Sequence, residues 1–379
     1  MAATARPLDG VRVIDFSTLL PGPLATLILA EAGAEVVKVE RPGQGDELRG
    51  HEPKLGASSV GFALLNRGKR SLALDLKDAS ALARLQPLLA SAEVLVEQFR
   101  PGVMGRLGLG YAAVRELNPK IVYCSISGYG QSGPKAAVAG HDLNYIADTG
   151  LLALGGEGGI PAIPPGLIAD IGGGALPAVI NILLALRQAE ATGAGCHLDV
   201  AMTDNLFAWQ WWALGLLAAG RPPRPGGELL TGGSPRFQIY RTADERLVAA
   251  APLEQRFWDT FCTLIDLPEE LRDDTRDPPA TRAAIARIIA SESAAHWQER
   301  FAGRDCCCNL VASLEDALAD LHFRGRGLFD AEVADNGQRI PALPVPLAPT
   351  LRGTPELRRA PQLGEANPLL DGAALHRLK

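Results

Sequence analysis

The sequence predicts an α/β fold built around a parallel sheet, and two observations carry that prediction. Short runs rich in β-branched residues, such as VRVIDF (residues 11–16) and AEVVKVE (residues 34–40), have the composition of buried strands. Between them, PGPLATLILAEAGA (residues 21–34) begins with proline and carries an apolar stripe at helical spacing. Strands that alternate with helices of roughly 10–15 residues form right-handed βαβ units, so we expect the strands to be parallel.

This alternation continues as far as residue 130, and then the pattern changes. Two long apolar helices are expected over residues 172–189 and 202–219, with a short strand, HLDVA, at residues 197–201. Before residue 130, the remaining predicted elements are strands at residues 71–76, 93–99 and 120–127, and helices at residues 79–90 and 111–117.

The length of 379 residues suits two domains. We expect a large α/β domain over residues 1–220, followed by a proline- and glycine-rich linker, RPPRPGGELLTGGSP. A hairpin formed by FQIY and RLVAAA then opens a smaller domain over residues 221–327. Residues 328–379 contain several prolines and little periodicity, and we expect them to run back over another domain or another subunit.

Composition excludes some classes of partner. With a net charge of -6 and a pI of about 5.6, the chain has no overall positive field for nucleic acid. A local basic cluster, NRGKR (residues 66–70), could still hold a small anionic ligand. The most apolar run, residues 206–220, contains Gln210 and falls short of about 18 uninterrupted apolar residues, so we expect a buried helix and no membrane span.

The cysteines contain no CxxC pair and no spacing that suits zinc, so we expect free thiols, no bound metal and a reducing, cytoplasmic environment. The start, MAATARPLDG, gives no sign of a secretory signal. A catalytic thiol within the triple run is the alternative, but no partner base is visible near it. The six positions are Cys124, Cys196, Cys262, Cys306, Cys307 and Cys308.

Common cofactor motifs are missing where the fold would need them. The first strand leads into STLLPGP instead of GxGxxG, and GxxxxGK[ST], HExxH and GxSxG do not occur. Arg41 directly follows the second predicted strand, which suits a ligand with phosphates at the carboxyl edge of the sheet.

The stretch AGHDLNYIADTG (residues 139–150) places His141 directly before Asp142 in a short glycine-bounded segment. It follows a predicted strand and the loop GYGQSGP, so it should lie at the carboxyl edge of the sheet. A core histidine or a helix cap is the plain structural interpretation, and a proton-transfer site is the functional one.

Two further carboxylates are candidates. Asp170 opens a predicted helix and is followed by Gly172–Gly174, and an ordinary N-cap is the alternative. Consecutive glycines weaken a helix by about 1 kcal/mol each relative to alanine, and close approach of a ligand to the backbone would explain them. Glu254, in APLEQRFW, opens a helix of the smaller domain, where a first-turn glutamate is also ordinary.

These candidates lie in segments whose order and spacing resemble one family over nearly the whole chain. The segments include LPGPLATLILAEAGAEVVKVERPG, NRGKRSLALDLK, VLVEQFRPGVMGRLGLG, SGYGQSGP, AGHDLNYIADTG and LIADIGGGA. They resemble the family III CoA-transferase-fold proteins, the CaiB/BaiF group, and most of all its racemases. The resemblance implies a Rossmann-like CoA-binding domain over residues 1–220 and a smaller α+β domain over residues 221–327. It also implies that residues 328–379 return to the large domain, and that two chains form an interlocked homodimer.

The family contains two activities. In its transferases, the aspartate that matches Asp170 is the nucleophile that forms acyl-enzyme intermediates while CoA moves between carboxylic acids. In its racemases, that aspartate works with the histidine of a GHD motif, which matches His141, and the glutamate that matches Glu254 partners the histidine. GHDLNY is the racemase form, so we expect an isomerase of 2-methylacyl-CoA thioesters, with the transferase as the alternative.

A third interpretation is a protein that binds CoA but catalyses no reaction. The presence of all three candidate residues argues against it. Two departures from the racemase pattern stand out: LEQRFW replaces IEPQFY, and no physical reason accounts for the triple cysteine.

The resemblance also implies contacts with the CoA moiety of the substrate, and no other cofactor. Arg41, Lys77 and Arg106 suit the phosphates, although each could be an ordinary solvated charge. The amides of Gly172–Gly174 are the expected donors to the enolate, and Asp142 is expected to hold the loop or the proton of Asp170. The implied CoA contacts are Arg41, Leu74, Asp75, Leu76, Lys77, Phe99, Arg106, Gly140, Asp142, Asn144 and Tyr145.

Overall fold

The computed structural model describes residues 6–56, 58–156, 160–335, 337–353 and 357–371. Within these ranges the strands are β1 (Arg12–Asp15), β2 (Glu35–Glu40), β3 (Lys54–Leu55), β4 (Ser58–Ser59), β5 (Arg70–Ala73), β6 (Val94–Glu97), β7 (Val122–Ser127), β8 (His197–Ala201), β9 (Gln238–Arg241), β10 (Leu247–Ala250), β11 (Cys308–Leu310), β12 (Glu332–Asp335), β13 (Gln338–Pro341) and β14 (Leu357–Arg359).

The α-helices of the same ranges are α1 (Pro21–Glu31), α2 (Val60–Asn66), α3 (Ala79–Ala90), α4 (Val103–Arg106), α5 (Tyr111–Leu117), α6 (Asp142–Asp148), α7 (Leu176–Thr192), α8 (Met202–Leu206), α9 (Trp211–Ala218), α10 (Gln255–Leu264), α11 (Pro278–Ile289), α12 (Ala294–Phe301), α13 (Leu314–Ala319) and α14 (Leu321–Gly325). A π-helical segment spans Ala169–Ala175, and short 3-10 helices lie at Glu47–Gly50, Leu152–Leu154, Phe207–Gln210, Leu229–Thr231, Glu269–Leu271, Pro349–Leu351 and Asn367–Asp371.

The main sheet has six parallel strands in the order β5-β2-β1-β6-β7-β8. Val13 of the central strand β1 is paired with Val36 on one side and Val94 on the other. All four residues of β1 and of β6 are buried, as expected for strands covered on both faces. The predicted α/β fold with a parallel sheet is therefore confirmed.

Several elements differ from the sequence-based expectation. The helix predicted over residues 202–219 is interrupted by the 3-10 helix Phe207–Gln210. Trp209 of this 3-10 helix packs so closely on Gly172 that a Cβ there would clash with its ring. The helix expected from residue 172 begins earlier, in the π-helical segment Ala169–Ala175. His141 is the N-cap of helix α6, which agrees with the helix-cap interpretation that the sequence left open. None of these details follows from hydrophobic periodicity alone.

Two compact units divide the chain. Unit 1 contains the described residues of Met1–Thr149, Pro164–Trp209 and His322–Lys379, and it carries the main sheet. Unit 2 contains the described residues of Gly150–Ile163 and Gln210–Leu321. Its antiparallel sheet β11-β10-β9 includes the predicted hairpin and packs on a core with Trp258, Phe261 and Trp297. The domain boundaries at residues 220/221 and 327/328 stay a prediction.

Residues beyond 322 contribute a second small sheet to unit 1, in the order β13-β12-β14. Val333 and Ala342 of this sheet region pack with Phe62 of α2 in one buried cluster. The side chain of Asn367 accepts a hydrogen bond from the N–H of Ala73, at the end of β5. The last described part of the chain is thus built into the same unit as the first strands.

One helical stretch, Ala169–Thr192, is long and apolar enough to cross a membrane by length and composition alone. Half of its most apolar 18-residue window is buried within the structure, and a core helix passes the same test.

Candidate active site

A cleft of about 420 Å³ lies at the carboxyl edge of the main sheet, in unit 1. Its floor comes from the residues that end or follow neighbouring parallel strands, where ligands of open α/β sheets bind. One wall is formed by the segment that leads into α6. The lining residues are Leu19, Pro21, Gln98, Phe99, Arg100, Pro101, Ile126, Ser127, Gly128, Tyr129, Ala136, Val138, Ala139, Gly140, His141, Asn144, Tyr145, Asp170 and Met202.

His141 enters this cleft from the N-terminus of α6, and its side chain is exposed. The side-chain oxygen of Asn144 accepts a hydrogen bond from the N–H of His141 at 3.0 Å. The hydroxyl of Tyr145 donates to the carbonyl oxygen of Gly140. These contacts fix the backbone on both sides of the imidazole. Asn144, Tyr145 and Gly140 were predicted to touch CoA, and in the structure they hold His141 in place and line the same cleft.

Asp142, in contrast, is buried and points away from solvent. Its carboxylate accepts hydrogen bonds from the N–H groups of Ala169, at 2.6 Å, and Asp170, at 2.9 Å. The first turn of α6 is thereby joined to the first turn of the π-helical segment. Asp142 consequently positions Asp170, which agrees with its expected holding role, and its contact with CoA stays a prediction.

Asp170 has the most informative environment in the cleft. Burial raises the pKa of its carboxyl to about 6; the charge of Asp142 also raises this pKa, and His141 acts in the opposite direction. All three side chains are therefore within electrostatic reach of one another. A carboxyl group with a pKa near neutrality can both accept and return a proton, which is what general acid–base catalysis requires.

The glycines after Asp170 have a different cause from the one the sequence suggested. A Cβ on Gly173 would lie 2.4 Å from the carbonyl oxygen of Met202, and one on Gly174 would lie 3.1 Å from the side chain of Pro21. Close packing of protein segments therefore explains them without a ligand. The described lining of the cleft does not include Gly172, Gly173 or Gly174, so their predicted role as donors to an enolate is not supported.

Buried charges fix the wall of the cleft that follows β1. Leu19 has a φ of 63°, in the left-handed region that leucine rarely adopts. Its N–H donates to Asp46 Oδ1 at 3.2 Å, and Asp46 Oδ2 forms a fully buried ion pair with Lys38 Nζ at 2.9 Å. Lys38 also donates to the carbonyl oxygen of Ser17 at 2.6 Å. The strained backbone of Leu19 is held in place by this ion pair.

The remaining predicted CoA contacts lie along the same edge of the sheet. Arg41 follows β2 and is exposed, with a 3.3 Å hydrogen bond to Gln44. After β5, Asp75 and Lys77 are exposed, whereas Leu74 is buried in the core and Leu76 packs against it. Phe99 lines the cleft, and Arg106 is exposed at the end of α4. Their contacts with CoA stay predictions.

Glu254 lies in unit 2, as the N-cap of α10. Its backbone carbonyl accepts from the N–H groups of Phe257 and Trp258, and its side chain makes no capping hydrogen bond. Its pairing with His141 stays a prediction. In the cysteine run, Cys306 is buried and Cys307 is exposed, and both are free thiols.

Sequence reasoning missed the polar residues Gln98, Arg100, Ser127 and Tyr129 of the cleft, and two of them, Arg100 and Ser127, bear on its chemistry. Arg100 follows Phe99 and lines the cleft, and its charge acts on the phenol of Tyr145. Ser127 ends β7, and its buried hydroxyl has no hydrogen-bond partner within the described part of the chain. The signal that could have found both is topological, since each directly follows or ends a strand at the carboxyl edge.

The fold is a Rossmann-like parallel sheet, and the cleft at its carboxyl edge contains a histidine and a carboxyl group. This combination indicates an enzyme. Residues 8–367 match the model of CoA-transferase family III. The chain belongs to this family, and it is an enzyme of the group that contains CoA-transferases and racemases. The resemblance found in the sequence is confirmed.

Individual relatives represent both activities. Alpha-methylacyl-CoA racemase of Mus musculus is 37% identical over 94% of this chain and 91% of its own length. Succinate–glutarate CoA-transferase of Agrobacterium fabrum is 33% identical over 95% of this chain and 93% of its own length. The crystal structure of a CAIB/BAIF family protein from Brucella suis superposes with a TM-score of 0.83 at 27% identity, covering 97% of this chain and 99% of that one.

Proposed function

We propose that the protein is an acyl-CoA racemase, which interconverts 2-methylacyl-CoA stereoisomers by removing the α-proton and returning it through an enolate. The observation that carries the proposal is the pairing of His141 with Asp170 in one cleft, together with the raised pKa of about 6 for Asp170. The 37% identity to a racemase also supports it.

Racemisation needs one group to remove the α-proton and a second group to return a proton on the opposite face. An imidazole and a carboxyl group with a raised pKa can exchange these roles according to which stereoisomer is bound. His141 and Asp170 are the two groups in this mechanism, and Asp142 keeps Asp170 in position. The reaction uses no group beyond the CoA moiety of the substrate.

The enolate oxygen requires a hydrogen-bond donor that is already in place. Ser127 supplies a candidate, because its hydroxyl is buried, lines the cleft and has no partner within the described residues. The guanidinium of Arg100, on the neighbouring strand end, adds positive charge to the same cleft. These two residues replace Gly172–Gly174 as the proposed donors.

The second candidate function is a family III CoA-transferase that moves CoA between carboxylic acids through an acyl-enzyme at Asp170. This function needs only one catalytic side chain, because the carboxylate of Asp170 would be the nucleophile that forms the acyl-enzyme. The relative from Agrobacterium fabrum, at 33% identity, carries a transferase name.

Deuterium exchange separates the two functions. A chiral 2-methylacyl-CoA incubated with the protein in deuterated water should lose stereochemical purity and take up deuterium at the α-carbon, without an added acceptor acid. Hydroxylamine should trap nothing on Asp170 during turnover, because the racemase forms no covalent acyl-enzyme. A trapped adduct at Asp170, or acyl exchange that survives His141→Ala, would replace the racemase with the transferase.

We also propose that the protein is an interlocked homodimer. Helix α7 exposes Ile180, Leu183 and Leu184, which recur at helical spacing and so form one apolar face. In unit 2, Trp211, Leu214 and Leu217 of α9 are exposed in the same way. Apolar faces of this kind mark contact surfaces, and a second copy of the chain is the proposed occupant. Light scattering that gives a monomer at micromolar concentration would contradict the dimer.

A further inference from the structure

The basic sequence NRGKR has no part in the catalytic cleft. It lies between α2 and β5, where the chain enters the amino edge of the main sheet. Lys69 is fully buried and donates to Asn66, Thr26 and the carbonyl oxygen of Pro23. Arg70 pairs with Glu35 at 3.1 Å. Arg67 is buried as well, and its guanidinium donates to Glu31 and to the carbonyl oxygens of Leu64 and Leu343.

Arg67 lines a cavity of about 210 Å³ in unit 1. The other walls come from the end of α1 and from the C-terminal part of the chain. The charged residues among its described lining are four arginines and two acids: Arg67, Arg326, Arg352, Arg358, Glu31 and Asp330. The described lining therefore carries more basic than acidic side chains, although the net charge of the whole chain is -6.

One carboxylate serves two of these guanidinium groups. Glu31 Oε1 lies 2.9 Å from Arg67 Nε and 3.7 Å from an Nη atom of Arg358. Burial lowers the pKa of Arg67; Glu31 raises it, and the charge of Arg358 lowers it again. The two cations therefore lie close together in the wall of the cavity, and both contribute positive charge to it.

Arg326 and Arg352 complete the charge imbalance. Neither side chain makes a hydrogen bond or an ion pair with any residue in the described part of the chain; Arg352 is half-buried and Arg326 is exposed at the rim of the cavity. A half-buried guanidinium leaves its hydrogen-bond donors facing the cavity unless a ligand accepts from them.

We propose that this cavity binds a phosphate group, either as inorganic phosphate or as part of a phosphorylated small molecule. Guanidinium groups bind phosphate through paired charge-assisted hydrogen bonds, and several of them line a space large enough for one phosphate. The site lies at the amino edge of the sheet, whereas the catalytic cleft lies at the carboxyl edge. It is therefore a second ligand site, and it does not depend on which reaction the enzyme catalyses.

Titration calorimetry of the full chain with inorganic phosphate tests the site. Arg352→Ala and Arg326→Ala should each weaken phosphate binding about tenfold, the effect of losing one charge-assisted contact. Arg339→Ala is the matched control, because it removes the same charge from an exposed residue that pairs with Glu332, and it should leave the affinity unchanged. Asp330→Asn removes a negative charge from the rim of the cavity and should strengthen binding.

Arg41→Ala removes the arginine predicted to bind the CoA phosphates at the catalytic edge, and the phosphate binding that Arg352→Ala weakens should persist in this variant, because Arg41 is not in the described lining of the cavity. A phosphate monoester that binds more tightly than inorganic phosphate would assign the site to a phosphorylated molecule, and weaker binding would assign it to free phosphate. The proposal is overturned if millimolar phosphate gives no binding heat beyond a sodium chloride control. It is equally overturned if binding is lost in Arg41→Ala and kept in Arg352→Ala.

Discussion

Two aspartates of unit 1 are largely removed from water and yet have opposite acidities. Asp15, at the end of β1, is fully buried; burial alone would raise its pKa, but Lys69, Lys38 and two hydroxyl donors outweigh burial and lower it. In the described part of the chain no lysine contacts Asp170, so burial and the like charge of Asp142 outweigh His141 and raise its pKa to about 6. The same residue type is thus a fixed anion in one place and a titrating acid in the other.

The difference lies in how completely each region satisfies its polar groups. Around Asp15, the hydroxyls of Ser17 and Thr26 and the ammonium of Lys69 all contact the carboxylate. In the cleft, by contrast, the buried hydroxyl of Ser127 has no hydrogen-bond partner among the residues that the structure describes. A fully paired charge network fixes the backbone, while a partly unsatisfied one is ready to bind and react.

The largest expected effect is on catalysis. Asp170→Asn keeps the size of the side chain but removes the titrating group, so α-proton exchange should fall at least about 100-fold. Deuterium uptake by a chiral 2-methylacyl-CoA measures the loss. Asp204→Asn is the control, since Asp204 is exposed on α8 and is absent from the described lining of the cleft. Near-normal exchange in Asp170→Asn would show that the carboxyl of Asp170 is not the proton-transfer group.

The second prediction concerns the paired network. Lys69→Met should destabilise the protein by about 3–5 kcal/mol, because it leaves the buried carboxylate of Asp15 without its nearest cation. Urea denaturation measures the change. Lys135→Met breaks an exposed ion pair with Asp148 and should cost no more than about 1 kcal/mol. Equal losses of stability in the two variants would show that the buried ion pair of Lys69 and Asp15 contributes no more than an exposed one.

The sequence predicted the sheet and the candidate residues better than their surroundings. Strands such as β1 and β6 have apolar residues at their centres (Val13 and Ile14, Val94 to Val96), so the composition of the sequence was enough to predict them. His141 and Asp170 were found because their motifs are local in sequence. The bond from Asp170 to Asp142 spans 28 residues, and contacts at that separation leave no periodic trace in the sequence. The same holds for Arg67 and Leu343, which are 276 residues apart.

The glycines after Asp170 give the third prediction. Gly173→Ala should destabilise the protein by about 1–3 kcal/mol, because the new methyl group would clash with the carbonyl oxygen of Met202. Gly105→Ala, within α4, is the control: no atom lies within 4 Å of its Cβ position, so its effect should be neutral or slightly stabilising. If Gly173→Ala left stability unchanged and weakened only CoA-ester binding, ligand approach would explain the glycines after all.

The smallest expected effect is a change in the pH dependence of the free energy of unfolding, which should have opposite signs for Asp170 and Asp15. The folded-state pKa of Asp170 is raised from 3.8 to about 6, so the folded protein binds the proton more tightly and loses stability as pH rises between these values. Above pH 6 the loss is complete, and Asp170→Asn should then be more stable than the native protein by about 1–2 kcal/mol, after allowance for partial exposure. Below about pH 4 the advantage should vanish, because Asp170 is then protonated in both states.

The effect of Asp15→Asn should have the opposite sign. The lowered pKa of Asp15 stabilises the fold at neutral pH, and this stabilisation is lost only as the pH falls. Urea denaturation of both variants from pH 4 to pH 8 measures the two curves. Curves of the same sign would contradict the opposite environments of the two carboxylates.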